Sequence, residues 1–342
     1  MALGGPIFIV GAPRSGTSFL RVTLNRHPAI ELCNETAFFY KVWVRRQAFG
    51  DLAMPENRQR LISHYIETRN VKALGVDREL LAQMLMRDGT NYQAFFTTLI
   101  RQGALERGKA RFGEKTPTHA LFSDTLCDWY PRCALIHIVR DPRDVVASLK
   151  RMPFGSPEAL ANARTWVAHV AATRRVEHRE NYLLVKYEQL VREPEAELRH
   201  ILAFIGERYT PCMLEAREPA REVTWWFERA QGSLQRDRVG IWQDQLDRSE
   251  ASLIEWIAGP TMKALGYKSE AEKPSLLTKG AALARTCLQY LLIRARNLGT
   301  LWYYWMQPTN LAGEETAWAK REPRRRPTSD RCASGVRDPS LR

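Results

Sequence analysis

The stretch "GAPRSGTS" places Arg14 and the hydroxyls of Ser15, Thr17 and Ser18 beside two glycines, Gly11 and Gly16. Glycine permits backbone conformations that aim several N–H groups at one anion. The apolar run "PIFIV" (6–10) comes directly before, and a helix is expected from Thr17 to about His27. A helix N-terminus carries partial positive charge and favours phosphate or sulfate. Strand, glycine turn, cation and helix together make Arg14, Ser15, Gly16, Thr17 and Ser18 a candidate anion cradle. The glycine spacing fits G-x-x-x-x-G-K-[ST], but Thr17 stands where a nucleoside triphosphatase needs lysine. No strand ends in an unpaired metal-binding aspartate, since Val139 is followed by Arg140 and then Asp141. Such a loop suits a nucleotide with one 5′ anionic chain and no metal.

A second strand-to-helix passage, "ALIHIVRDPRDVVASLKRM", puts Arg140 at the carboxyl end of its strand, where ligands bind in open α/β sheets. Ser148 lies eight residues on, inside the next helix. The turn between them can bring both to one anion. In the plainer reading, Arg140 pairs with Asp141 or Asp144 and Ser148 is a small core residue. Asp144 is expected at the helix start, held by backbone N–H groups there.

These two segments resemble the 5′-phosphosulfate loop and the 3′-phosphate segment of sulfotransferases that use 3′-phosphoadenosine 5′-phosphosulfate (PAPS). Within that superfamily, "PIFIVGAPRSGTSFLRVTLNRHP" is similar to the opening of tyrosylprotein sulfotransferases and their bacterial relatives. The resemblance covers roughly residues 5–270 and is weakest over 40–105. It implies that residues 11–18 cradle the 5′-phosphosulfate and that Arg140 and Ser148 hold the 3′-phosphate. Spacing alone says only that a second anion site is present.

Sulfuryl transfer to a hydroxyl needs a base, cationic donors for the leaving oxygen, and an in-line arrangement. The resemblance gives the base role to Glu35, in "HPAIELCNETAFFY", with Glu31 as the neighbouring competitor. Lys115, in "RFGEKTPTHA", matches a lysine that contacts the sulfuryl region, and Arg14 adds a cation to the catalytic group. His119 is the alternative base, since cytosolic small-molecule sulfotransferases use a histidine; its plainer reading is a capped or packed ring. His137 reads as a core histidine and His27 as a helix C-cap. The segment "GSLQRDRVGIWQDQL" (232–246) is similar to a loop that closes over the nucleotide, which makes Ser233, Arg236 and Arg238 candidate contacts. Trp242 reads as a core anchor, and "TWWFER" (224–229) as a lining of the acceptor pocket or as core.

The elements that must position these groups read as strands at 6–10, 110–114, 134–139 and 182–188, separated by helical stretches. Helices are expected over about 144–151, 157–180, 194–205 and 252–267 as well as after the first loop. Widely spaced apolar strands between helices predict an α/β fold, a P-loop-like parallel sheet with helices on both faces. The expected organisation is one catalytic domain over 1–270 and a basic extension over 271–342. That extension has an amphipathic helix at about 283–306 and a tail of disordered composition. The helix combines Arg285, Arg294 and Arg296 with Leu291, Leu292, Trp302, Tyr303 and Trp305.

Composition bounds the rest. The 342 residues are 44% hydrophobic and 26% charged, a globular balance, and the net charge of +13 favours anionic partners. Six cysteines without C-x-x-C or zinc spacing suggest reduced thiols and no metal site. No signal peptide or membrane span is evident, so the expected location is cytoplasmic, with peripheral contact to anionic membrane through the extension. No nucleic-acid-binding signature is found. The favoured function is sulfuryl transfer from PAPS to a hydroxyl, with an amine as the lesser acceptor. Two alternatives stay open: a P-loop phosphotransferase of kinase type, and a non-catalytic nucleotide fold that binds an anionic membrane surface.

Overall fold

The computed structural model describes residues 3–215 and 238–305, with side chains as far as Leu291 apart from Tyr290. Five strands form one parallel sheet: β1 Ile7–Val10, β2 Ile30–Cys33, β3 Arg111–Lys115, β4 Ala134–Val139 and β5 Tyr182–Lys186. Their order is β2-β3-β1-β4-β5. Ile9 lies beside Ile136 on one side and Lys115 on the other. The chain leaves β1 toward one edge and later returns to its other side, so the carboxyl end of β1 lies at a switch point. That is where open α/β sheets bind ligands.

The central strands β1 and β4 are buried on both faces, and all their residues but His137 are apolar. Ile7, Ile9, Ile136 and Ile138 pack against α1 (Thr17–Asn25) and the helix Pro194–Ile205, through Leu20, Leu24, Leu198 and Ile201. Phe8, Val10 and Leu135 face a cluster rich in phenylalanine, with Phe38, Phe39, Phe95 and Phe96. The helices Pro55–Tyr65, Arg78–Asp88 and Tyr92–Glu106 enclose this second layer. Asp77 and Asn91 accept backbone N–H groups at the starts of the last two.

Four of the expected strands are present, the second running on to include Lys115. The sheet gains an edge strand, β2, from four residues that interrupt their apolar pattern with Glu31. The helix expected near 144–151 starts at Pro142 and ends at Leu149; we label it α2. The helix after it runs Ala159–Arg174. The closing helix, α3, spans Arg248–Ala264 and starts with a capping box between Asp247 and Glu250. The last helix, α4, spans Leu276–Trp305 and so begins seven residues earlier than its expected start at about 283.

Candidate active site

The glycine loop turns sharply between β1 and α1. Gly16, with φ of 99°, occupies the N-cap of α1, and no side chain caps the helix start. A Cβ there would come within 2.4 Å of the Tyr187 ring, and one at Gly11 within 2.3 Å of the Ile138 carbonyl oxygen. Arg14 adopts a left-handed backbone with φ of 73°. Ser15 is fully buried, and its Oγ has no hydrogen-bond partner. Thr17 is buried and Ser18 half-buried on the first turn. The loop therefore presents uncapped N–H groups and an unsatisfied buried hydroxyl, a donor set that fits a phosphate or sulfate.

The second segment meets this loop. Arg14 Nε donates to Ser148 Oγ at 3.0 Å, and Arg140 Nη1 donates to the Arg14 carbonyl at 3.4 Å. Arg140 also donates to the Arg238 carbonyl and stands over the Tyr187 ring, 4.7 Å from its centroid. Arg140 and Ser148 are both buried. The plainer pairing is present as well, with Arg140 Nη2 lying 3.4 Å from Asp144.

Asp144 does not cap the start of α2. Asp141 does, accepting the Arg143 N–H at 2.8 Å, while Pro142 occupies the first turn. Asp144 instead accepts the N–H groups of Gly240 and Trp242, at 2.9 and 3.0 Å. Burial raises the Asp144 carboxyl above its usual range, against the pull of Arg140. Trp242 is half-buried, with the Arg143 guanidinium 4.2 Å from its ring centroid. Ser233, Arg236 and residues 224–229 lie outside the described residues.

At the end of β3, Lys115 Nζ donates to Glu35 Oε1 at 2.5 Å. The Lys115 side chain is wholly buried, whereas that of Glu35 is 36% exposed, so a second molecule can reach the carboxylate. Burial lowers the Lys115 pKa, against the opposing pull of the Glu35 charge. The backbone around Glu35 is fixed: Asn70 donates to its carbonyl at 2.8 Å, and Tyr65 donates to the Thr36 carbonyl at 2.6 Å. The Gly11 N–H donates to the Pro117 carbonyl at 3.2 Å, which ties this segment to the glycine loop.

His119 is fully buried. Its Nδ1 pairs with Glu114, and its Nε2 accepts the Phe39 N–H at 3.4 Å. The ring also makes an edge contact with Phe39, its centroid 4.9 Å away. Both nitrogens thus serve the packing of this layer, as in the plainer reading. Glu31 sits with Lys109 at 3.2 Å and Asn25 at 3.3 Å. His137 is a core residue, its Nδ1 bonded to the Tyr182 hydroxyl at 2.8 Å. His27 lies just past the C-cap of α1, which is Arg26, and its Nε2 meets the Arg208 carbonyl at 2.9 Å.

Three residues at the site were not singled out from the sequence. Arg21 of α1 donates to the Leu32 carbonyl at 3.4 Å, and its charge acts on both Glu35 and Lys115. Its place one helical turn after Thr17 was the available signal. Thr36 donates its hydroxyl to Glu114 at 2.6 Å, and Tyr187 supplies the ring beneath Arg140.

Comparison with known proteins agrees with this architecture. The Sulfotransferase family model matches residues 6–211, and the Sulfotransferase domain model matches residues 158–266. Protein-tyrosine sulfotransferase 1 of Danio rerio is 27% identical over 293 residues, covering 79% of this chain and 74% of its own. Nodulation protein NoeE of Sinorhizobium fredii is 24% identical over 314 residues, covering 81% of this chain and 70% of its own. A solved sulfotransferase domain from the curacin biosynthetic pathway is 19% identical and shares the fold. It aligns with a TM-score of 0.53 across 79% of this chain and 100% of that domain. The family model spans more than half of the 342 residues, so this chain belongs to the sulfotransferase family.

Proposed function

We propose that the protein transfers a sulfuryl group from PAPS to an acceptor hydroxyl, with Glu35 as general base. The observation that carries this reading is the Arg14–Ser148 hydrogen bond at 3.0 Å. It joins two anion-binding segments at the ends of neighbouring strands, with the Glu35–Lys115 pair at the end of the third. Arg14, Ser15, Gly16, Thr17 and Ser18 would hold the 5′-phosphosulfate. Arg140 and Ser148 would hold the 3′-phosphate, with Arg238, Ser233 and Arg236 contributed by the closing segment. We take residues 1–270 as the catalytic unit, a division supported by the family match that ends at residue 266.

When bound, PAPS supplies an activated sulfuryl group. Glu35 accepts the proton of the acceptor hydroxyl, its carboxylate oriented by the hydrogen bond from Lys115. Lys115 and Arg14 provide positive charge for the oxygen from which the sulfuryl group departs. The missing Walker lysine at Thr17 weighs against the phosphotransferase alternative.

Calorimetry with adenosine 3′,5′-bisphosphate and adenosine 5′-phosphate tests the nucleotide. The bisphosphate should bind far more tightly, without magnesium, and Arg140→Ala should weaken it by about 2–5 kcal/mol. Equal affinity for the two nucleotides would remove the 3′-phosphate assignment. Labelled PAPS incubated with a cell extract should yield a labelled product; no transfer above background would overturn the activity.

A further inference from the structure

The last helix, α4, has one face on the protein and another in solvent. On the inner face Ala282 is buried with Leu160 and Leu253, and Leu283 packs beside them. Gln289 accepts a hydrogen bond from Ser156 at 2.8 Å, and Arg285 lies 3.4 Å from Glu158. On the outer face Leu277 is 86% exposed, Leu288 58% and Leu291 61%. An α-helix turns about 100° per residue, so positions 277, 281, 284, 288 and 291 fall on one stripe. Ala281 and Ala284, between the leucines, are exposed too. Leu276 flanks the stripe at 83% exposure.

Single exposed leucines are ordinary on a protein surface. A stripe that persists over about four turns of one helix is not, and its surroundings define what can cover it. Residues 276–305 include Lys279, Arg285, Arg294 and Arg296 and no acidic residue. By count, residues 272–342 hold 13 Lys/Arg and 6 Asp/Glu, a net of +7. Trp256 of α3 adds a partly exposed ring beside the helix, with the Lys279 ammonium 5.0 Å from its centroid. Among the described residues no helix is long and apolar enough to cross a membrane. An apolar stripe edged by Arg285, whose side chain is 60% exposed, on a helix whose sequence carries four cations and no acid suits a helix lying in the headgroup layer of a bilayer. A second copy of the chain would bring two helices of net positive charge together, which works against self-pairing.

We propose that α4 lies in the plane of an anionic membrane surface, with Leu277, Leu288 and Leu291 facing the acyl boundary and Arg285 at headgroup depth. The sulfotransferase domain is then held against a lipid surface.

The test is co-sedimentation of the full chain with vesicles of phosphatidylcholine, and with vesicles that also contain phosphatidylglycerol. Binding to the anionic vesicles should be at least about tenfold tighter and should fall with added salt. The triple variant Leu277→Glu, Leu288→Glu, Leu291→Glu should lose it while keeping the thermal midpoint and the affinity for adenosine 3′,5′-bisphosphate. If that variant does not fold, Leu291→Glu alone should weaken binding. Protein that stays in the supernatant, equal binding to neutral vesicles, or undiminished binding by the variants overturns the proposal. So does a wild-type dimer that the leucine substitutions split, which would assign the stripe to a second copy.

Discussion

A carboxylate can act as a base only where an acceptor can reach it, and the Glu35 side chain keeps 36% of its surface open. Its Oε1 accepts a hydrogen bond from the buried Lys115 ammonium at 2.5 Å. The main chain around it is costly to hold. Among the described residues the only non-glycine positions with positive φ are Arg14 and Ala37, one in the anion loop and one beside Glu35. Left-handed backbone at such residues persists only where the surroundings enforce it. Here Thr36, Glu114 and Asn70 provide that constraint. Glu35→Gln preserves size and hydrogen bonding but cannot take a proton at neutral pH. Turnover should fall about 10²–10⁴-fold, the usual range for general acid–base catalysis, with nucleotide affinity little changed. If steady-state kinetics show Glu35→Gln active, and a folded His119→Ala inactive, then His119 is the base. Glu35 and Lys115 were legible because each sits in a recognisable motif. Thr36 was not, because its meaning comes from Glu114, which lies 78 residues away in sequence.

One element junction couples the end of β4 to the segment around residues 240–242. Asp144, on the first turn of α2, pairs with Arg140 and accepts two N–H groups from residues 240 and 242. A single buried carboxylate thus ties the end of β4 to the start of the closing segment. Asp144→Asn removes the charge and one acceptor lone-pair set while leaving the shape. It should lower stability by about 1–3 kcal/mol, the cost of leaving buried partners unmatched. Amide exchange at Gly240 and Trp242 should accelerate, and affinity for adenosine 3′,5′-bisphosphate should drop in the same variant. Unchanged exchange at both amides would show that Asp144 does not hold the segment. The sequence already contained the clue to which aspartate caps the helix: proline favours the first helical position, so Pro142 points to Asp141. The edge strand β2 gave no such clue, being four residues with Glu31 among them. The helices between residues 40 and 105 were also unread. Their order comes from packing on the phenylalanine cluster, a tertiary feature that local pattern does not carry.

At the scale of the molecule, the parallel sheet and its switch point were legible because buried parallel strands are short, apolar and widely spaced. What the sequence does not display is how the core responds to acid. His137 lies wholly buried in β4, and desolvation, helped by the charges of His169 and Arg174, brings its pKa down to about 3. Burial also lowers the pKa of His169. In the unfolded chain both rings return to an ordinary value near 6.5. Between about pH 6.5 and pH 3 the unfolded state therefore binds protons that the native state refuses. The stability supplied by a neutral buried His137 is fully present above pH 6.5 and is lost as the pH falls. Asp144 and Glu188 act in the opposite sense, since burial raises both carboxyls and the folded state then holds its protons to higher pH. His137→Leu removes one titrating ring and leaves those carboxyls in place. In urea unfolding at pH 7 and pH 5, the wild-type protein should lose about 2 kcal/mol more than this variant over that interval. The hydrogen bond to Tyr182 is lost at both pH values, so it cancels in the difference. Equal losses in the two proteins would mean that His137 is not held neutral in the folded core.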